Sequence, residues 1–360
     1  MPLQPLRIID ANLNRSSEGL RFLEDVARFL LNDAALSQQL KLMRHDLADK
    51  AKPLRAKLLS QRDAEHDVGA SKQSVIASEA KQSQQGLPDL IAANAKRVEE
   101  SLRVIAELAK LPEISSALNS VQFEQARFAF YALEQKLISK VLRQDKIERL
   151  KGLYVILDRQ VLAGRDELDI ASQIIHGGAR AIQLRDKQGS KGELLPLAQE
   201  LRSLCAETQV LFIVNDYLDI ALAADADGLH IGQKDLPLPV IRKELPIDKL
   251  VGCSVTTVPQ AMKAQDEGVD YIAVGSIFPT TTKKEAILVG IDRLKEVKQA
   301  VSSPVVAIGG INEDNVGQVV AAGADSVAVI SAVLEHEDVR EAVQRLITKM
   351  ELVKEKYQNA

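Results

Sequence analysis

The feature that most narrows the fold of this 360-residue chain is a series of eight short, β-rich apolar runs in its C-terminal part. They read "LYVILD" (153–158), "AIQLR" (181–185), "VLFIVND" (210–216), "GLHIG" (228–232), "LVGCS" (250–254), "YIAVGSIF" (271–278), "PVVAIGG" (304–310) and "SVAVIS" (326–331). Helical segments separate them. Near-continuous apolar strands alternating with helices are the pattern of a parallel sheet covered on both faces. Eight such units in roughly 200 residues predict a closed (β/α)8 TIM barrel rather than an open doubly wound sheet. The turns "EGVD" and "AAGAD" ahead of the sixth and eighth runs place a glycine at each helix end, as such units require.

The N-terminal residues are written in a different period. In "LRFLEDVARFLL", Leu20, Leu23, Ala27 and Leu30 fall on one helical face, and Val98, Leu102, Ile105 and Ala109 repeat the spacing. The fold class expected is therefore α/β, with an all-α helical bundle over 1–145 ahead of a barrel over 146–360. The bundle contains an internal repeat: "NLNRSSEGLRFLEDVARF" (12–29) matches "NAKRVEESLRVIAELAKL" (94–111) at Asn12/Asn94, Arg15/Arg97, Glu18/Glu100, Leu20/Leu102 and Arg21/Arg103. The polar matches have two readings. One is helix capping with Glu–Arg pairs three residues apart, and the other is a polar, anion-binding pocket between two similar helices. Between the copies, "GASKQSVIASEAKQSQQGLPDL" (69–90) reads as a low-complexity, exposed insertion resembling a translated repeat element.

Composition excludes several partner classes. A net charge of -4 and the absence of Trp argue against nucleic acid, and no stretch is apolar enough to predict a membrane span. Two cysteines, Cys205 and Cys253, without disulfide or metal spacing, and no signal-peptide pattern, point to a reduced, cytoplasmic setting. A homo-oligomer is left open.

Barrels of this kind carry their chemistry at the C-terminal ends of the strands. The second run ends in Gln183, Arg185 and Lys187, and the third in Asn215 and Asp216. The fourth is followed by Asp235, the fifth ends in Ser254, and the sixth leads into "PTTTKK" with Thr280, Thr281, Thr282 and Lys283. The seventh ends in Gly309 and Gly310, the eighth in Ile330 and Ser331. Small residues and helix starts after the last two strands suit a phosphate. Asp216 and Asp235 would repel each other and any phosphate held by Arg185 and Lys187, a conflict that Mg2+ resolves by bridging carboxylate and phosphate oxygens. Asp216 could otherwise be a helix N-cap and Asp235 a solvated loop acid. His230 is expected to be a packed or hydrogen-bonded core residue, and the other histidines have no metal spacing. Strand alternation turns Asp186 away from its cationic neighbours, toward a structural role.

The ordered set "QLRDK", "VNDYLDIALAADADGLHIGQKDL", "GCSVTT", "VGSIFPTTTKK", "AIGGI" and "VAVISAV" resembles thiamine phosphate synthase over residues ~150–345. The helical half resembles a domain fused ahead of that synthase in some bacteria and associated with handling the pyrimidine precursor. The resemblance implies coupling of hydroxymethylpyrimidine diphosphate with a thiazole phosphate, releasing diphosphate. It implies Gln183, Arg185, Lys187, Asn215, Ser254 and Lys283 at the pyrimidine diphosphate, with Arg185, Lys187, Ser254 and Lys283 catalytic. Thr280, Thr281, Thr282, Gly310, Ile330 and Ser331 would hold the thiazole phosphate, and Asp216 and Asp235 the magnesium. Tyr217 stands where many relatives carry a second acid. The alternatives are a related barrel that rearranges the thiazole phosphate, and a regulatory barrel with the helical half as interaction module.

Overall fold

A computed structural model describes residues 4–60, 86–280 and 286–358. The chain divides into two compact units, Met1–Leu142 and Arg143–Ala360.

In the first unit the helices are α1 (Gln4–Asp25), α2 (Ala34–Lys50), α3 (Arg55–Ser60), α4 (Leu87–Leu108), α5 (Pro112–Ser115) and the greater part of α6 (Ser120–Arg149). The repeated helices α1 and α4 pack together on a core that includes Leu20, Leu23, Val98, Leu102 and Ile105, all fully buried. Their close approach depends on Gly19, where a Cβ would stand 2.7 Å from Val98 Cγ2. The predicted apolar face of the first copy breaks at its end. Residues Val26–Leu30 form a π-helical turn, which adds a residue to the turn and rotates the chain beyond it. Ala27 stays buried, but Leu30 is 41% exposed rather than on the core face. The expected insertion over 69–90 lies outside the described residues up to 85. Its last residues are helix, since Leu87–Leu90 open α4 with Pro88 in the first turn, where a missing N–H costs nothing.

The second unit is a closed barrel of eight parallel strands in sequence order: β1 (Gly152–Asp158), β2 (Ala181–Arg185), β3 (Leu211–Asn215), β4 (Gly228–Ile231), β5 (Leu250–Val255), β6 (Tyr271–Val274), β7 (Val305–Ile308) and β8 (Ser326–Val329). The period-2 pleat sorts each strand between two cores. Val155, Ile182, Phe212, Val251 and Ile272 face the helices, while Tyr154, Ile156, Ala181, Leu211, Ile213, Leu250, Tyr271 and Ala273 fill the interior. Gly268 and Gly323 hold φ values of +90° and +94° at the helix ends before β6 and β8, so the two turns read from the sequence are left-handed glycine stops.

Leu150 closes the interior from below, its carbonyl accepting from Ser326 Oγ at 2.8 Å. Nearby, the buried Asp270 carboxylate accepts from Arg143 Nε at 2.7 Å, from the Arg242 guanidinium and from the Val251 amide at 2.7 Å. A buried charge with this many donors is costly to uncover, because removing it strands two guanidinium groups out of water. Asp270→Ala should therefore destabilise the barrel by about 3–5 kcal/mol, read as a lowered urea midpoint in equilibrium unfolding.

Candidate active site

Alternation along β2 carries Gln183 and Arg185 into the barrel mouth in phase with Ala181, an interior residue. Gln183 is 2% exposed and Arg185 half-buried. On the neighbouring β1, Asp158 pairs with Arg185 in register and its buried carboxylate holds the Arg185 guanidinium. Asp158 also caps the short helix that follows, accepting from the Gln160 amide at 3.0 Å. Sequence reasoning misses this acid. Its signal is its place as the last residue of an apolar run, the same rule that singles out the others.

Lys187, beyond the strand, is exposed and paired with Asp216. Asp216 follows β3 with φ +62°, a left-handed conformation that aspartate tolerates better than most residues. It is no helix cap: Tyr217 occupies that position for the next helix, Leu218–Ala223. Asp235 is not a solvated loop acid either. Its carboxylate accepts from the Gly232 amide at 2.7 Å, and the Asp216 carboxyl lies within hydrogen-bonding reach. Burial, then Asp216, pushes the Asp235 carboxyl above the usual aspartate range, against the pull of the Gly232 amide and Lys187. Among the described residues no cluster of three or more His, Cys, Asp or Glu side chains forms a cage for a metal.

Asn215 ends β3, buried, in register with His230 on β4. His230 Nε2 meets Ser254 Oγ of β5 at 2.8 Å, and its Nδ1 meets Tyr271 Oη at 3.1 Å. The histidine is hydrogen-bonded inside the barrel, as expected, yet its partner is a rim residue. Tyr271 Oη lies 3.1 Å from Tyr154 Oη, which accepts from Gln183 Nε2 at 2.7 Å. Neither tyrosine stands out in the sequence, because a Tyr inside an apolar run looks like any large core residue.

On the opposite side of the rim, Gly309 and Gly310 have φ values of +103° and +64°. A Cβ at Gly310 would fall 2.3 Å from the Pro279 carbonyl oxygen, so only glycine lets these loops touch. The helix after β7, Val316–Ala321, starts well past the glycines, so loop backbone rather than a helix end is what they offer. Ile330 is the cap residue, and Ser331 the first, of the short helix Ser331–Leu334. Thr280 is half-buried at the end of the described loop, while Thr281, Thr282 and Lys283 lie outside the described residues.

Asp186 points outward, as its parity requires. It accepts from the Gln188 and Gly189 amides, both at 2.8 Å, and from Arg159 Nη1 at 2.8 Å. Burial raises its pKa, but the two amides and the guanidinium outweigh that and hold the carboxyl below the usual value. It thus fastens the loop that presents Lys187.

In the first unit, the repeat's polar matches divide. Asn12 and Asn94 play one local role, each donating to the carbonyl four residues back, Ile8 and Leu90, at 2.8 Å. The Glu–Arg pairs three residues apart do not form, since Arg21 meets Asp25 and Glu100 meets Lys96. Arg15, Glu18, Arg97 and Arg103 are exposed. Among the described residues a cavity of about 450 Å³ adjoins the first copy of the repeat but not the second, with Asp10, Arg44, Asp49, Lys52 and Arg55 among its walls and Leu20 and Leu47 behind them.

A closed parallel barrel whose cations, carboxylates and hydroxyls gather at the strand ends defines an enzyme of the (β/α)8 class. Residues 153–333 match the thiamine monophosphate synthase family, and residues 7–136 the ThiD2 family. Thiamine-phosphate synthase of Synechocystis sp. is 37% identical over 351 residues, covering 97% of each chain. That of Clostridium tetani is 45% identical over 194 residues, 54% of this chain and 93% of its own length. Among solved structures, thiamine phosphate pyrophosphorylase from Pyrococcus furiosus is 40% identical with a TM-score of 0.54, covering 58% of this chain and 98% of that one. The chain belongs to the thiamine monophosphate synthase family, with a ThiD2-family domain ahead of the barrel. No described helix is long and apolar enough to cross a membrane.

The anchoring of Asp186 has a measurable pH dependence. Its folded pKa is depressed, so its contribution is complete above the unfolded value and is lost as pH falls through the folded one. Asp186→Asn should cost about 1–3 kcal/mol at neutral pH. That penalty should shrink as urea titrations are repeated below about pH 4.

Proposed function

We propose that the chain is a thiamine phosphate synthase, joining 4-amino-2-methyl-5-hydroxymethylpyrimidine diphosphate to a thiazole phosphate, carboxylated or not, with release of diphosphate. The observation that carries this is the interleaving of cations and carboxylates on adjacent strands, Arg185 with Asp158 and Lys187 with Asp216, Asp235 alongside. These charges neutralise one another in pairs. A diphosphate gives the cations a better partner, since Arg can grip its oxygens through several donors.

The carboxylate pair fits Mg2+. Two neighbouring acids, of which Asp235 is held above the usual aspartate range by burial and by Asp216, form a small, hard-oxygen donor set, and magnesium is usually held by one or two carboxylates plus substrate phosphate and water. Asp216 and Asp235 would hold it, and its charge would neutralise diphosphate oxygens.

The reaction breaks the C–O bond between the pyrimidine methylene and the diphosphate and forms a C–N bond to the thiazole nitrogen. Arg185, Lys187 and Lys283 take up the charge that grows on the leaving group. Gln183, Asn215 and Ser254 hold the pyrimidine, whose amino group supports positive charge at the methylene as the bond opens. Thr280, Thr281, Thr282, Gly310, Ile330 and Ser331 seat the thiazole phosphate, placing the nucleophile before water can compete. A cysteine nucleophile has no part in this. Both cysteines are buried, with burial pushing Cys253 up to about 11 and Cys205 up to about 12, so neither is a thiolate at neutral pH. The rearranging and regulatory alternatives need no diphosphate grip and leave the early rim unused.

For the helical unit we propose handling of the phosphorylated pyrimidine precursor. The mixed cationic and acidic walls of its cavity, Arg44, Lys52 and Arg55 with Asp10 and Asp49, support this reading.

Arg185→Ala and Asp216→Ala should each lower the rate of thiamine phosphate formation by at least about 100-fold, with far-UV circular dichroism unchanged. Near-full activity in both would overturn the assignment. In the full chain carrying Arg185→Ala, incubation with hydroxymethylpyrimidine monophosphate and ATP should yield the diphosphate. Loss of that product in a chain also carrying Arg44→Ala would tie it to the helical unit's cavity, and no product from the folded protein would leave the unit a structural role.

A further inference from the structure

Gln183 and Ser254 stand three strands apart around an eight-stranded barrel, so they flank whatever occupies its mouth. They are nevertheless joined beneath it by an unbroken chain: Gln183 Nε2 to Tyr154 Oη at 2.7 Å, Tyr154 Oη to Tyr271 Oη at 3.1 Å, Tyr271 Oη to His230 Nδ1 at 3.1 Å, and His230 Nε2 to Ser254 Oγ at 2.8 Å. Tyr154 and Tyr271 are 1% and 0% exposed, and His230 stacks on Tyr271 with ring centroids 5.6 Å apart.

Such a chain has only one direction at a time. Each phenol keeps its single hydrogen, since burial pushes both phenols above their usual range. A buried hydroxyl that accepts from one neighbour and donates to the other leaves no O–H unpaired, which accepting from both would do, and a neutral imidazole carries one N–H. If Gln183 Nε2 donates into the chain, His230 Nε2–H donates to Ser254, and the serine hydrogen is left for a ligand while Gln183 turns Oε1 to the mouth and keeps one further N–H on the inward nitrogen. If the chain runs the other way, Ser254 spends its hydrogen on His230 and offers lone pairs, while Gln183 offers its N–H groups. The amide atom that Gln183 turns to the mouth and the serine hydroxyl stay opposite in sense whichever way the amide is turned.

We infer that Tyr154, Tyr271 and His230 are positioning residues that lock Gln183 and Ser254 into opposite hydrogen-bonding senses, so that the mouth selects a flat heterocycle with a donor at one end and an acceptor at the other. The inference deepens the proposed function and rests on it. A 4-aminopyrimidine has this polarity, with the amino group at one end of the ring and N1 at the other. Its 4-oxo analogue, in the ordinary lactam form, presents acceptors at both ends and leaves one protein group opposed to a like group. A buried polar group without its partner is what makes such sites selective.

The test compares kcat/KM of the full chain for the 4-amino and 4-oxo pyrimidine diphosphates. The unaltered protein should prefer the amino compound by about 1000-fold or more. Tyr271→Phe cuts the chain in the middle and should reduce that preference at least tenfold. Tyr154→Phe, which cuts it nearer Gln183, serves if the first variant does not fold. A folded variant of either kind that discriminates as the unaltered protein does would overturn the inference. A second readout does not depend on turnover. In a protein with five histidines, ring 15N shifts assigned by His230→Gln should show His230 as one neutral tautomer. Interconverting tautomers in the unaltered protein would overturn the relay. A single tautomer in a protein that couples neither pyrimidine would instead overturn the proposed function, and the substrate inference with it.

Discussion

Closing eight parallel strands into a ring forces alternate side chains of every strand into one shared interior, and that interior must be filled without voids. Here two phenols do much of the filling. Tyr271 fits because β5 carries Gly252 opposite it, where a Cβ would lie 2.0 Å from the ring. A phenol placed that deep brings a hydroxyl that cannot reach water and must find protein partners. Tyr154, His230 and Gln183 supply them. The hydrogen-bond chain beneath the mouth is therefore a consequence of how the barrel solves its packing, and the functional rim inherits its orientation from that solution.

The rim adds a second layer of order. Its cations are already engaged, Arg185 by Asp158 and Lys187 by Asp216, and the loop between them is fastened from outside through Asp186 and Arg159. Asp186 sits between two cations in sequence yet belongs to neither, because one residue of parity turns it to the helix side of the sheet. The diphosphate proposed above would meet side chains already held in place, so little ordering would be needed at the moment of binding.

Residues at the strand ends and residues inside the barrel differ in how legible they are from the chain. Gln183, Arg185, Lys187, Asn215, Asp235 and Ser254 can be picked out because strand ends in this architecture have a known place, and polar residues there stand out against apolar runs. Asp158 obeys the same rule and escapes notice only because it closes a run that otherwise reads as pure core. Tyr154, Tyr271 and the Ser254 contact of His230 cannot be picked out at all. Their significance lies in contacts across 117, 41 and 24 residues of chain, and periodicity is blind to which interior residues meet. In the helical unit, Leu30 leaves the expected face because a single π turn shifts the phase of everything after it, and no composition signal announces that turn.

The amino-acid order by itself determined the two kinds of architecture, the eight strands and their sequence, and the faces of those strands that are buried. These are consequences of local period and of the pleat, and both are written in neighbouring residues. The tertiary structure alone decided which rim groups are partners: Arg185 with Asp158, Asp216 with both Lys187 and Asp235, and Gln183 with Ser254 through three buried rings. Those pairings depend on barrel closure and strand register, which bring together residues with no local relation to one another.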